Sequence, residues 1–319
     1  MVEDGLPAST VSAGEWQELI ARSGGHPFFS SPEWLFASPY PQHVVSVHRD
    51  GRLTAVLPLV IDGDVARFPT RLTDYNDVIA ETPEDALEAV AIARSGPYEA
   101  LELTGLRSDS KLLAAMPDAE VTSTRTTSYA DLTGGRAEYL ADRGRNFRRN
   151  VRKATRRAAL QGYEVRELTP DNVSPPSLPP AFLDLHLRRC PRSVFAQPEI
   201  AAIAREVLPR LFADRSLRVF AAMHGERIAA LDLCAAGPDG LAVWNGAIDD
   251  ADAHISPGRL VMDAAITAAC DEGLREYDLL RGEQPYKLAW RTGVREVVAV
   301  RVPTFACAAT PTAHCRPGP

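Results

Sequence analysis

The chain is short of most things that would give it a quick functional assignment. It has no run of 18 or more uninterrupted apolar residues, so no membrane span is expected. Its first residues carry neither a basic start nor an apolar core, which excludes a secretory leader from the reading. Only five cysteines occur (Cys190, Cys234, Cys270, Cys307, Cys315), without a C-x-x-C pair or a His/Cys cluster at zinc-ligand spacing. That pattern argues against a metal or dithiol site and for free thiols in a reducing, cytoplasmic setting. A formal charge of −7 argues against a general nucleic-acid coat.

What is present is an ordinary globular composition, 45% hydrophobic and 24% charged, over 319 residues, which is long enough for two domains. Alternating apolar runs at 44–49 and 52–60, separated by Asp50-Gly51, predict a hairpin, because this dipeptide accepts the positive φ angles of a tight turn. A helix over 13–22, another over 84–94 and a strand over 98–103 complete a first unit. The second half repeats the plan: strands at 217–223 and 227–234 flank His224-Gly225-Glu226, and Gly237-Pro-Asp-Gly240 turns into a third strand at 241–246. The boundary is placed near residue 130, giving units 1–130 and 131–305 and a frayed tail 306–319. The fold class expected is α/β (α+β), two tandem units, each a mixed, mostly antiparallel sheet flanked by helices.

The informative stretch lies late in the chain. After the third strand, a helix opening at Ser256-Pro-Gly-Arg259 and closing at Gly273 leads into a strand over 275–280. A helical crossover lets that strand run parallel to the third, leaving an opening at their carboxyl ends where a ligand can sit. Ser256 can cap the helix, Pro257 suits its first position, and Gly258 allows close backbone approach. Leu260 belongs to its apolar face. The start is then either an anion site for a pyrophosphate or simply a good cap. On the other wall, Asp278 sits in an apolar strand, either functional or paired with Arg281 or Lys287. Lys287 can stabilise an oxyanion or hold a phosphate; Glu283 is a general base or a solvated turn residue. Trp244 and Asn245 either line the opening or, for Trp244, belong to the core.

Between Arg143 and Arg157 lie eight basic residues and no acidic one, so the remainder carries 27 basic against 42 acidic residues. On a helix Arg145, Arg149, Arg152 and Arg156 share one face, either a phosphate-binding stripe or a solvated surface paired with that acidic remainder.

Taken together, Leu183-Asp-Leu-His186, Gly225-Glu-Arg-Ile-Ala-Ala, Ser256-Pro-Gly258, Tyr277-Asp278, Gly282-Glu283, Tyr286-Lys287 and Trp290, with the basic segment from Asn146, make the chain resemble the GNAT superfamily of acyltransferases. More narrowly it resembles the two-domain branch with cellulose-biosynthesis-type acetyltransferases and Fem-type aminoacyltransferases. The resemblance covers residues 130–303, and 25–80 more loosely. It implies an acyl-CoA donor (acetyl-CoA or longer) on Ser256, Gly258, Arg259 and Leu260, aided by Arg149 and Arg152, and no metal. It further implies an amine acceptor, of a small molecule or peptide, with Lys287 and Tyr286 as an aromatic–lysine pair that stabilises the acyl-transfer intermediate. Glu283 and Asp278 join the catalytic candidates; Trp244, Asn245, Arg281, Asp74 and Tyr75 are the substrate candidates. The phosphate loop, His254-Ile-Ser-Pro-Gly258-Arg259, is shorter than the basic-x-x-Gly-x-Gly/Ala run of single-domain members. This short loop and the arginine stripe leave a charged tRNA as the alternative donor. A binding protein that keeps the fold without the chemistry is the remaining alternative.

Overall fold

The computed structural model describes residues 11–305. In chain order the elements are α1 (Ala13–Ser23), α2 (Glu33–Phe36), β1 (Gln42–Arg49), β2 (Arg52–Asp62), β3 (Val65–Arg67) and β4 (Ile79–Ala80). Then come α3 (Pro83–Ala93), β5 (Ala100–Arg107), α4 (Lys111–Ala114), β6 (Glu120–Asp131), α5 (Gly135–Asp142) and α6 (Arg145–Leu160). The remainder is β7 (Tyr163–Leu168), α7 (Leu178–Arg189), α8 (Pro198–Ala213), β8 (Leu217–His224), β9 (Arg227–Ala236) and β10 (Gly240–Ile248). It closes with α9 (Pro257–Asp271), β11 (Glu276–Arg281), α10 (Pro285–Trp290) and β12 (Gly293–Pro303). The readings of the Cys307 and Cys315 thiols and of a frayed tail at 306–319 lie outside the described residues.

Two compact units emerge, and they are not contiguous. One holds the chain through Gly25, Ser38–Arg125 and the chain from Val297 on; the other holds His26–Ala37 and Thr126–Glu296. Residues 26–37 and 297–305 thus group differently from a single boundary near 130.

In the first unit, β1 and β2 form the expected hairpin, with Asp50 and Gly51 at φ 51° and 76°. Positive φ at both central positions matches the twist of the flanking strands. The sheet continues β2–β3–β5 and then to residues 297–303 of β12. Thr82 caps α3 through the Asp85 N–H, and Ala86, Ala89, Val90 and Ala93 bury its inner face.

In the second unit the strand order is β6–β11–β10–β9–β8–β7. The meander β8–β9–β10 is antiparallel, as the short turns require, and β10 pairs with β11 in parallel through the α9 crossover. Leu260, Val261, Ala265, Ile266 and Ala269 of α9 are buried in one core with Ala230, Cys234 and Tyr277 of the sheet. The other face packs on α7 and α8, where Trp244 meets Phe28, Trp34, Phe182 and Phe195. Trp244 is therefore a core residue. Mixed α/β units with mostly antiparallel sheets and flanking helices are what the patterning predicts.

Candidate active site

β10 and β11 stay paired only from Gly240↔Glu276 to Ala242↔Asp278. Beyond that point β10 continues on β9 and β11 continues on β6, so the two parallel strands part. Each carries an irregularity where they separate, between Val243 and Asn245 in β10 and between Asp278 and Leu280 in β11. A bulge bends its strand and re-aims the following residues. The result is an opening whose walls keep backbone polar groups unspent on a ladder. Gly246 N–H, for example, turns back to Asn245 Oδ1 at 3.0 Å, and Gly246 C=O meets His186 Nδ1 at 3.1 Å.

The β11 wall is held under strain. Leu280 has φ 58°, a conformation costing a branched residue about 1 kcal/mol or more, and Gly282 follows at φ 105°. Asp278 fixes this bend: Oδ1 accepts the Leu280 N–H at 2.7 Å, while Oδ2 lies 3.4 Å from Arg295. Arg295 also pairs with Glu276 and stacks 4.4 Å from the centre of the Tyr129 ring. Arg295 is a partner of Asp278 that the sequence reading, which offered Arg281 or Lys287, did not name and that no local spacing picks out. Lys287 donates from Nζ to the Arg281 carbonyl and is only 6% exposed, so an ammonium group is buried at the end of β11. Tyr286 beside it is 48% exposed; burial first, and then the Asp232 carboxylate, push its phenol up to about 12. Glu283 is exposed in the turn, and Arg281 is half-buried.

At the end of β10 the first turn of α9 packs on Ile248. A Cβ on Gly258 would stand 2.5 Å from Ile248 Cδ1, so a side chain here would have to displace the end of that isoleucine. Ser256 does not cap the helix. It adopts the left-handed region (φ 59°, ψ 56°), whereas a capping side chain needs an extended backbone to reach the N2 or N3 amide. The preceding segment is clamped from outside: Arg227 binds Asp252 at 2.5 and 2.8 Å, the Tyr163 hydroxyl donates to Asp252 at 2.5 Å, and Arg157 reaches the His254 carbonyl. Arg259 is half-buried and Leu260 buried.

The basic segment resolves into two sets. Arg143, Arg148 and Arg157 are used internally, Arg148 closing the carbonyls of Leu140 and Ala141 at the end of α5. Arg145, Arg149, Arg152, Lys153 and Arg156 are exposed, and none is ion-paired among the described residues. The expected pairing with the acidic remainder is not made. Asp74 and Tyr75 lie in the other unit, both buried, with the Arg107 guanidinium 5.5 Å over the Tyr75 ring.

One residue escaped the sequence reading. Asp232, on β9 opposite Gly246, is 6% exposed, and its Oδ2 has no hydrogen-bond partner among the described residues. Burial alone pushes its carboxyl up to about 8. Gly246 is glycine because a Cβ there would stand 2.6 Å from Asp232 Oδ1. The signal was available: a lone carboxylate in the apolar run Ala229–Ala235, the same anomaly that drew notice to Asp278. The folded-state value lies above the unfolded value of about 3.9, so the unfolded chain releases this proton first. Stability is therefore lost as pH rises from about 4 through 8. Asp232→Asn should leave stability nearly unchanged near pH 4 and raise it by about 5 kcal/mol at pH 8. Denaturant melts at the two pH values check this; equal gains at both would show that burial is not the cause.

Residues 145–288 match the family model described as an acetyltransferase (GNAT) domain. The fold is shared with FemX (14% identity, TM-score 0.64, covering 91% of this chain and 96% of that one). It is also shared with the C-terminal domain of a putative lysylphosphatidylglycerol synthetase from Agrobacterium fabrum (13%, 0.62, 90% and 91%). A third likeness is to L-PGS from Bacillus licheniformis (11%, 0.63, 91% of each). No curated protein sequence is a match. The match assigns residues 145–288 to a GNAT-type acetyltransferase domain, and the likeness to FemX extends the shared fold over most of the chain. Its GNAT domain is the part that carries the β10–β11 opening.

Proposed function

We propose that the protein transfers an acyl group from acyl-CoA to an amine of a small molecule or peptide, by direct attack at the β10–β11 opening. The observation carrying this reading is the parting of two parallel strands after Ala242 and Asp278, with a buried ammonium at the end of one and a helix start at the end of the other. Direct acyl transfer needs a positioned carbonyl and a group to stabilise the oxygen that turns negative. Lys287 is assigned that role and Tyr286 the proton supplied to the leaving group. Asn245 and Arg281 contact the substrates; Arg259 and the first turn of α9 meet the donor's phosphates. Calorimetric titration with coenzyme A tests the donor: no binding sinks it.

The exposed face of α6 favours a second reading. From Arg145 to Arg156 it runs roughly 16 Å at 1.5 Å per residue, longer than one pyrophosphate requires. A polymer such as the acceptor stem of a charged tRNA would use the whole face, and nuclease sensitivity of the activity would identify it. Under either reading, Arg149→Glu with Arg152→Glu should weaken donor binding about tenfold or more at low salt and far less at high salt. Unchanged donor affinity would make the stripe a plain surface.

A further inference from the structure

Asp232 is a carboxylate that the fold has gone out of its way to bury without pairing. It sits on β9 directly across from Gly246, the residue of β10 that lies beyond the last β10–β11 pair. Oδ1 occupies the place of the side chain Gly246 lacks, and Oδ2 has no partner. Three titratable groups lie in its field: Cys234 on its own strand, Tyr277 on β11 and Tyr286 on α10. None is a cation. Cys234 and Tyr277 are buried and hydrogen-bonded to each other at 3.9 Å, whereas Tyr286 is half-exposed, so of the three only Tyr286 reaches the surface. From α7, His186 reaches the Gly246 carbonyl, and its Nε2 is likewise buried without a partner. Asp232 Oδ2 and His186 Nε2 are thus two unspent side-chain atoms on residues that meet Gly246, just beyond the last β10–β11 pair.

An unpartnered buried carboxylate costs stability and is retained where a ligand supplies the missing donor. In a site for acyl transfer to an amine, the missing donor is the amine itself. We propose that the acceptor enters as a primary ammonium ion, docks on Asp232 Oδ2 past the Tyr286 ring, and gives that oxygen its proton. This rests on the acyl-transfer reading above. The proton moves from nitrogen to Oδ2, leaving the nitrogen lone pair free. That pair forms the new C–N bond to the donor carbonyl, and collapse breaks the bond to the leaving sulfur or oxygen. Tyr286 gives its proton to the leaving group and takes the second nitrogen proton in return, and Asp232 returns its proton to water as product leaves. The raised carboxyl makes Asp232 a base matched to neutral or mildly alkaline pH.

The test uses the full chain labelled with ¹³C at the aspartate side-chain carboxyls, titrated with and without n-butylamine. One carboxyl titrating far above the others, missing in Asp232→Asn and displaced by butylamine, is the expected result. With acetyl-CoA as donor and butylamine as acceptor, Asp232→Asn should lose about 100-fold or more in kcat and its dependence on pH in the neutral range. If butylamine leaves that signal where it was, the docking idea is overturned, whatever the variant does. If transfer in Asp232→Asn keeps the wild-type rate and pH profile, acyl transfer stands and Asp232 is only a buried neutral acid. If butylamine moves the signal but no acyl donor is consumed, the amine site stands and the acyl-transfer reading falls. Should Asp232→Asn not fold, the wild-type titration with butylamine decides alone.

Discussion

Lys287→Ala is expected to reduce kcat by about 100-fold or more, the scale of removing one donor from a site that stabilises a developing oxyanion. The ammonium is buried at the end of β11, where low dielectric strengthens its pull on a forming negative charge. It is also held in place, since Nζ donates to the Arg281 carbonyl and cannot swing freely into water. Lys287→Arg gives a useful contrast: it keeps the charge but replaces a compact point charge by a planar fork that the same space does not fit. Both variants should therefore lose turnover, and donor affinity should change little if the group acts chiefly in the transition state. A melting curve accompanies each measurement, because Lys287 also ties α10 to the strand. Full activity in Lys287→Ala would remove the residue from the mechanism.

Much of this architecture is written in short-range patterns. Asp50-Gly51 sets its hairpin because only a few residue types accept two successive positive φ angles, and the β8–β10 meander follows from alternation broken by glycine turns. The parallel β10–β11 pair was legible because a 15-residue helix between two apolar strands leaves few other connections. What was not legible depends on contacts far apart in sequence. Arg295 reaches Asp278 from the start of β12 only after α10 has turned the chain back. Residues 26–37 join the second unit through Phe28 and Trp34 stacking on Trp244, more than 200 residues on, and nothing local reports it. Ser256 fits the composition of a cap, yet its backbone adopts a left-handed geometry that a capping side chain cannot use. Asp232 was readable in principle, but its lack of a partner is a property of the packed core.

The second large effect concerns the strained end of β11. Asp278→Ala should destabilise the protein by about 3 kcal/mol, because it strips the Leu280 N–H of its acceptor and leaves Arg295 with less than its full complement of charge. On a unit of this size that corresponds to a fall in Tm of roughly 10 °C. These two interactions are separable. Asp278→Asn keeps an oxygen for the Leu280 amide but removes the charge facing Arg295, whose pairing with Glu276 and stacking on Tyr129 remain. The asparagine variant should therefore lose clearly less than the alanine variant. The same comparison bears on catalysis. Leu280 sits in the left-handed region only while its amide is held, and the Arg281 carbonyl that receives Lys287 is the very next residue. Releasing Leu280 should let β11 straighten, moving the Arg281 carbonyl and with it the Lys287 ammonium. Turnover in Asp278→Ala is then expected to fall even at temperatures where the variant is fully folded, and to be largely kept in Asp278→Asn. Equal turnover in the two variants would show that the bend at Leu280 does not position the lysine.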